Sequence, residues 1–206
     1  MLDLDVIESC FKDTTQPAPE DTPLYPSPGP IPEAKRLEIE KDIKPAAVLV
    51  AFVERDTPTL MLTERTSHLR NHGGQVSFAG GRMEPGETPI ETALREAEEE
   101  IGLTSDFVRV IGFMDKYMTG TGFSVYPIVA RVTPGFELKL DAFEVAEAFE
   151  VPLSFALNKD NYKTISRTFG ETRWHFYEAY YDDHRIWGAT AGMLVGLADF
   201  IKNREI

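Results

Sequence analysis

The sequence predicts an α/β fold, a mixed sheet with helices on its faces. Two observations carry the prediction: strand-like and helix-like segments are interspersed along the chain, and several strand candidates follow one another without a helix between them. A length of 206 residues suffices for one domain with a real core and is short for two. Hydrophobic residues make up 42% and charged residues 27%, ordinary values for a globular protein.

Leu4, Ile7 and Phe11 recur at helical spacing, so a short helix is expected within residues 1–14. Seven prolines from Pro17 to Pro32 then predict an extended arm, because each fixes φ and removes a backbone donor. From Pro45 the composition changes. Residues 1–44 are therefore taken as an N-terminal extension and 45–206 as the domain. Strands are expected over 46–54 and 59–66, with a turn at 55–58 between them. A glycine-rich loop follows over 78–87 and a helix over 89–101. Further strand candidates are 108–116 and 124–132; the stretch 145–153 is mixed in character. Residues 162–169 and 173–181 read as a hairpin turning through Gly170, Glu171 and Thr172. An amphipathic helix over 188–202 closes the chain, with Met193, Leu194, Leu197 and Phe200 as core.

Composition removes several functions. A formal charge of −13, from 21 Lys plus Arg against 34 Asp plus Glu, disfavours sequence-independent binding of nucleic acid. No run approaches the roughly 18 apolar residues that a membrane span needs. The acidic start MLDLDVIESCFKD lacks the pattern of a secretory signal, and a single cysteine, Cys10, excludes an internal disulfide. A cytoplasmic location is the expectation. Cys10 has no histidine neighbour to activate it. Gly120 and Gly122 lack the third glycine of a dinucleotide fingerprint, and no Gly-Lys-Ser/Thr phosphate loop occurs.

The helix over 89–101 carries the strongest local signal. Thr88 can cap it, Pro89 fits its first position, Glu91 completes a capping box, and Gly102 supplies the stop. Ile90, Ala93, Leu94, Ala97 and Ile101 share one stripe, which should face the core. Glu96, Glu99 and Glu100 share a second stripe, related by i, i+3 and i+4. Three carboxylates on adjacent turns repel one another. A solvated acidic face is the simple explanation of such a run. The same oxygen-rich cluster is also what Mg²⁺ or Mn²⁺ requires.

The surroundings favour the second explanation. Gly81, Glu87, Arg95, Glu96, Glu99, Glu100 and Gly102 form Gly-x5-Glu-x7-Arg-Glu-Ala-x-Glu-Glu-x-Gly-Leu, ending at Leu103. This resembles the signature of the Nudix hydrolases at every specified position. The resemblance implies an α/β/α sandwich whose loop-helix-loop holds a catalytic divalent metal, Mg²⁺ or Mn²⁺, and hydrolysis of a nucleoside diphosphate linked to another moiety. It implies Glu96, Glu99 and Glu100 as metal ligands and a carbonyl at Gly80 or Gly81 as a further one. Arg95 would orient a carboxylate, and Glu87 would support the site. The acid that positions or deprotonates water often lies outside the signature in related enzymes. Glu144 and Glu147 are the candidates here, and Glu144 is preferred.

Upstream, Leu62, Thr63, Arg65, Leu69, Arg70, His72, Gly74, Val76, Phe78, Gly80 and Gly81 resemble a second signature, that of the coenzyme A diphosphatase branch. Met61 stands where a leucine is usual and Ala79 where a proline is usual. Residues 119–123, with Val125 and Pro127, also resemble that branch. Arg65, Arg70, His72 and Arg82 concentrate positive charge near the glycine loop of an acidic chain, and arginine can grip phosphate through paired hydrogen bonds. Pairing with Glu64 and Glu84 is the alternative use of these residues. His68 reads as a surface residue, and His175 and His184 have no spacing that suggests metal ligation.

A small-molecule substrate is thus expected: coenzyme A or an acyl derivative. The alternatives are ADP-ribose, a dinucleotide or a damaged nucleotide, or a module that binds without catalysing. Two roles stay open for the proline arm, a cover over the pocket or the joint of a homodimer.

Overall fold

The computed structural model describes residues 3–23, 28–29, 33–69, 73–169 and 172–204. Its core is a mixed sheet in the order β3-β2-β1-β7-β5. These strands are β1 (Lys44–Val53), β2 (Thr59–Arg65), β3 (Val76–Ser77), β5 (Val108–Phe113) and β7 (Phe123–Val132). β4 (Ala79–Arg82) also pairs with β1, β6 (Tyr117–Met118) with β7, and β8 (Val145–Pro152) with β2. A second sheet, of three strands, runs in the order β11-β10-β9: β9 (Lys163–Phe169), β10 (Thr172–Tyr181) and β11 (His184–Trp187). The helices are α1 (Leu4–Phe11), α2 (Glu33–Ile39), α3 (Pro89–Ile101), α4 (Leu153–Ala156) and α5 (Gly188–Lys202).

β1 is the axis. It runs parallel to β7 from Lys44↔Phe123 to Val53↔Val132. Along its other edge, β4 occupies the first half and β2 the end. Because side chains alternate across a strand, β1 serves two cores at once. Ala47, Leu49, Ala51 and Val53 pack with Ala93, Ala97 and Ile101 of α3. Ala46, Val50 and Phe52 face the opposite core, with Ile7 and Phe11 of α1 and Leu194, Leu197 and Ile201 of α5. A mixed sheet between helices results, the α/β/α sandwich expected from the sequence.

Several elements differ from the sequence-based expectation; besides the short β3, β6 and α4, four bear on the site or its frame. The glycine-rich stretch is partly strand, since Ala79–Arg82 pairs antiparallel with Ala46–Leu49. The mixed stretch 145–153 is β8. The hairpin has a third strand, β11, entered through Asp182 at φ 49°. A helix, α2, follows the proline arm. Gly170 and Glu171, the expected hairpin turn, lie outside the described residues, as do 24–27 and 30–32 of the arm. No helix among the described residues is long and apolar enough to cross a membrane.

The N-terminal segment joins the main core. Leu4, Ile7, Cys10 and Phe11 are buried, and Phe11 stacks on Phe200 of α5 at 4.7 Å. Outside this apolar face, both carboxylate oxygens of Glu8 accept from Arg109 at 2.6 and 2.7 Å, and one also accepts from Arg131 at 2.9 Å. The Arg109 hydrogen bond leads the effects that lower the Glu8 pKa from 4.5 to about 2. A carboxylate so depressed contributes stability above pH 4.5 that is lost as pH falls from there to about 2. Glu8→Gln should therefore lower Tm at neutral pH by about 2–4 °C, a modest effect for a partly exposed pair. It should also make Tm less sensitive to acid below pH 4.5. Parallel Tm-against-pH profiles for the two proteins would argue against this role for Glu8.

Candidate active site

α3 forms where the sequence places it. Thr88 Oγ1 accepts from Glu91 N–H at 3.3 Å, Glu91 Oε2 accepts from Thr88 N–H at 2.8 Å, and Gly102 ends the helix at φ 71°. Both capping groups satisfy donors that the first turn leaves open.

The three carboxylates of its acidic stripe have different environments. Glu99 is 61% exposed, Glu96 17% and Glu100 5% by side chain. Two arginines divide them. Arg95 Nη1 donates to Glu96 Oε1 at 3.0 Å and to Glu99 Oε2 at 2.9 Å. The rest of its guanidinium forks onto Glu87, Nε to Oε1 at 2.6 Å and Nη2 to Oε2 at 3.1 Å, and Nη2 also reaches the Arg82 carbonyl at 3.3 Å. Such a fork fixes both partners in one plane. Glu87 also accepts from Thr92 Oγ1 at 2.7 Å and from Glu84 N–H at 2.9 Å. Arg95 first, then these bonds, bring its pKa down to about 2.

Glu100 is held from the other side. Its Oε2 accepts from Gly80 N–H at 3.1 Å, and Arg65 Nη1 lies 3.4 Å from its Oε1. Arg65 Nη2 lies 3.5 Å from Glu144 Oε2, so one guanidinium joins the end of β2 to α3 and to the residue before β8. The acidic partners of Arg65 are therefore Glu100 and Glu144, and Glu64 is not among them. Glu147 turns elsewhere, with an oxygen 3.2 Å from His184 Nε2. Arg82 is exposed beside this cluster. Arg70 and His72 lie outside the described residues.

Burial pushes the Glu100 carboxyl up to about 7, and repulsion from Glu96 and Glu144 adds to it. Burial likewise raises Glu96, with Glu99 and Glu144 contributing. These are oxygen donors that a hard cation would stabilise in their charged form. Among the described residues, no three Asp, Glu, His or Cys side chains converge closely enough to hold a metal ion as they stand. Arg95 pairs with Glu96 and Glu99, while Arg65 and the Gly80 N–H hold Glu100. The donor set suits a divalent metal in kind, with the arginines standing where positive charge is needed.

Two glycines make room. A Cβ on Gly80, at φ 154°, would run into Ala47 O and lie 2.6 Å from Val48 Cα, so β4 could not close on β1. A Cβ on Gly81 would occupy the space of the Glu96 carboxylate. The Gly80 N–H and the Thr92 hydroxyl are positioning groups that no local pattern in the sequence announces, since their partners are fixed by the folded geometry.

The model of the NUDIX domain matches residues 43–172. The Nudix hydrolase NudL of Photorhabdus laumondii is 41% identical over 174 residues, 83% of this chain and 91% of that one. The protein of the same name from Yersinia enterocolitica is 42% identical over 154 residues, 74% of this chain and 79% of that one. The chain belongs to the Nudix hydrolase family. It is a pyrophosphohydrolase of nucleoside diphosphate derivatives, in a family that generally uses divalent metal ions. Among solved structures, an Ap4A hydrolase from C. elegans has a TM-score of 0.46 and 20% identity, covering 54% of this chain and 83% of that one.

Proposed function

We propose that this hydrolase cleaves the diphosphate of coenzyme A or an acyl-coenzyme A. Water adds to one phosphorus as the bridging P–O bond breaks, giving adenosine 3′,5′-bisphosphate and 4′-phosphopantetheine or its acyl form. The observation that supports this most is Arg65. It belongs to the segment that resembles the coenzyme A branch, and it stands 3.4 Å from Glu100 of the acidic helix and 3.5 Å from Glu144.

In this assignment Glu96, Glu99 and Glu100, with the Gly81 carbonyl, would hold Mg²⁺ or Mn²⁺. When bound, the metal supplies Lewis acidity at the diphosphate and a more acidic water. Arg95 and Glu87 keep Glu96 and Glu99 in place. Glu144 takes the proton of the attacking water, being the acid outside the helix signature that shares Arg65 with Glu100, whereas Glu147 is engaged with His184. Arg65 and Arg82, with Arg70 and His72, grip the anionic substrate.

Incubating the protein with coenzyme A and Mg²⁺ or Mn²⁺ and separating the products tests the proposal. Release of adenosine 3′,5′-bisphosphate and 4′-phosphopantetheine is expected, at a rate at least about 100-fold above that of a Glu99→Gln, Glu100→Gln double variant. Equal rates for the two proteins would remove the assigned chemistry. A kcat/KM for coenzyme A about tenfold below that for ADP-ribose or a dinucleotide would reassign the substrate and leave the chemistry.

A further inference from the structure

Phe143 is the most exposed large hydrophobic side chain among the described residues, at 65%. An apolar ring in water usually belongs to a loose loop. The backbone beneath this one is tied down. Its N–H donates to Asp141 Oδ1 at 2.9 Å, and its carbonyl accepts from Thr66 Oγ1 at 2.7 Å. On the flanks, Thr66 N–H donates to the Glu144 carbonyl and Asp141 N–H to the Glu100 carbonyl, both at 2.9 Å. The backbone that carries the ring is thus tied to the end of β2 and to the last turn of α3. His68 stands against it, with ring centroids 5.1 Å apart and planes tilted by 59°.

The order of residues across this junction matters. Arg65 meets Glu144 at the acidic cluster; one residue further out on each segment, Thr66 holds Phe143. The backbone that carries the aromatic ring therefore adjoins the charged cluster in sequence and through Thr66. A nucleoside diphosphate has the same sequence of properties, an anionic diphosphate followed by a flat base. An aromatic ring on a held backbone has only its own side-chain torsions left to order when a base stacks on it. The exposed His68 ring is the tilted aromatic neighbour of Phe143.

We propose that Phe143, backed by His68, is the stacking platform for the nucleobase of the substrate. The proposal rests on the hydrolase assignment above, since that assignment puts a nucleoside diphosphate beside Glu144. Phe143 is a recognition residue; the bond-breaking step does not involve it.

Titration calorimetry with adenosine 3′,5′-bisphosphate, and with inorganic pyrophosphate as a control lacking a base, tests it in Mg²⁺ buffer. Phe143→Ala should bind the nucleotide on the order of tenfold more weakly and pyrophosphate within about twofold of wild type. Phe143→Trp should restore nucleotide binding. With coenzyme A as substrate, the effect of Phe143→Ala should fall on KM rather than kcat. Unchanged nucleotide affinity in Phe143→Ala, an equal loss for pyrophosphate, or no nucleotide binding by wild type would each overturn the platform. A loss confined to 4′-phosphopantetheine would also overturn it. The two proposals fail separately. Phe143-dependent nucleotide binding without coenzyme A turnover keeps the platform and removes that substrate. Coenzyme A turnover with an unchanged KM in Phe143→Ala does the reverse.

Discussion

Glu100→Gln is expected to lower kcat/KM by at least about 100-fold and yet raise the Tm of the metal-free protein above pH 7. The opposite signs come from one cause. Glu100 is 4% exposed, and burial raises its pKa from 4.5 to about 7. Between these values the folded protein holds a proton that the unfolded chain releases. Stability therefore falls as pH rises through this window, and the full cost is present above about 7. An uncharged amide of the same shape keeps an oxygen for the Gly80 N–H and removes the buried charge, a gain on the order of 1–3 kcal/mol. Melting curves in EDTA at pH 8 should place the variant above wild type by several degrees, with little difference at pH 5. Adding Mn²⁺ should reverse the order, because a ligand that binds only the folded wild type stabilises it. A variant that melts below wild type in EDTA at pH 8 would show that the Glu100 charge is not a burden to the fold.

The two adjacent glycines should separate folding from chemistry. Gly80→Ala is expected to destabilise the protein by at least about 3 kcal/mol, since its new Cβ meets backbone atoms of Ala47 and Val48 that belong to a paired strand. Gly81→Ala meets only the end of a side chain, the Glu96 carboxylate, whose Cδ would lie 2.5 Å from the new atom. That carboxylate can swing aside. The fold should survive with a Tm within a few degrees of wild type, while activity drops about 10- to 100-fold because Glu96 is displaced. Thermal melts and initial rates on the two variants suffice. Equal losses of Tm in both would mean that the Glu96 carboxylate is as immovable as the strand.

The legible parts of this molecule are those whose causes are local. α3 has its cap, its proline, its apolar stripe and its glycine stop within fifteen residues of sequence, 88–102, and it forms between those marks. β1 and β7 are mostly apolar, with runs at 45–53 and 125–130, because both faces of the central sheet are covered. β8 was obscured by Glu147 and Glu150, which an edge position tolerates: Glu150 is held there by Arg55 and Thr59. β4 hid behind Gly80 and Gly81, since glycine usually marks a turn, and here it admits a strand against β1. β11 is only four residues long and follows a turn at Asp182, too short for alternation to show. At the site, Gly81, Glu87, Arg95 and the acidic trio stood out through their spacing. The unequal burial of that trio did not, because it depends on Arg65 and Gly80, residues from β2 and β4. Nor did anything mark Phe143, an exposed ring on a backbone held by Thr66 and Asp141.

The parallel pairing of β1 with β7 bears on how the protein comes into being. Lys44 meets Phe123 and Val53 meets Val132, partners separated by 79 residues of chain at both ends of the ladder. α3 can begin to coil from local preferences, but its seat is made jointly by Leu49 and Ala51 of β1 and Ile128 and Ala130 of β7. Closing so long a loop is slow compared with winding a helix. β1 and β4 can offer the acidic helix part of its seat early. The share supplied by Ile128 and Ala130 must wait for this late, long-range event, and a nascent chain released short of Val132 would leave that side of the helix uncovered.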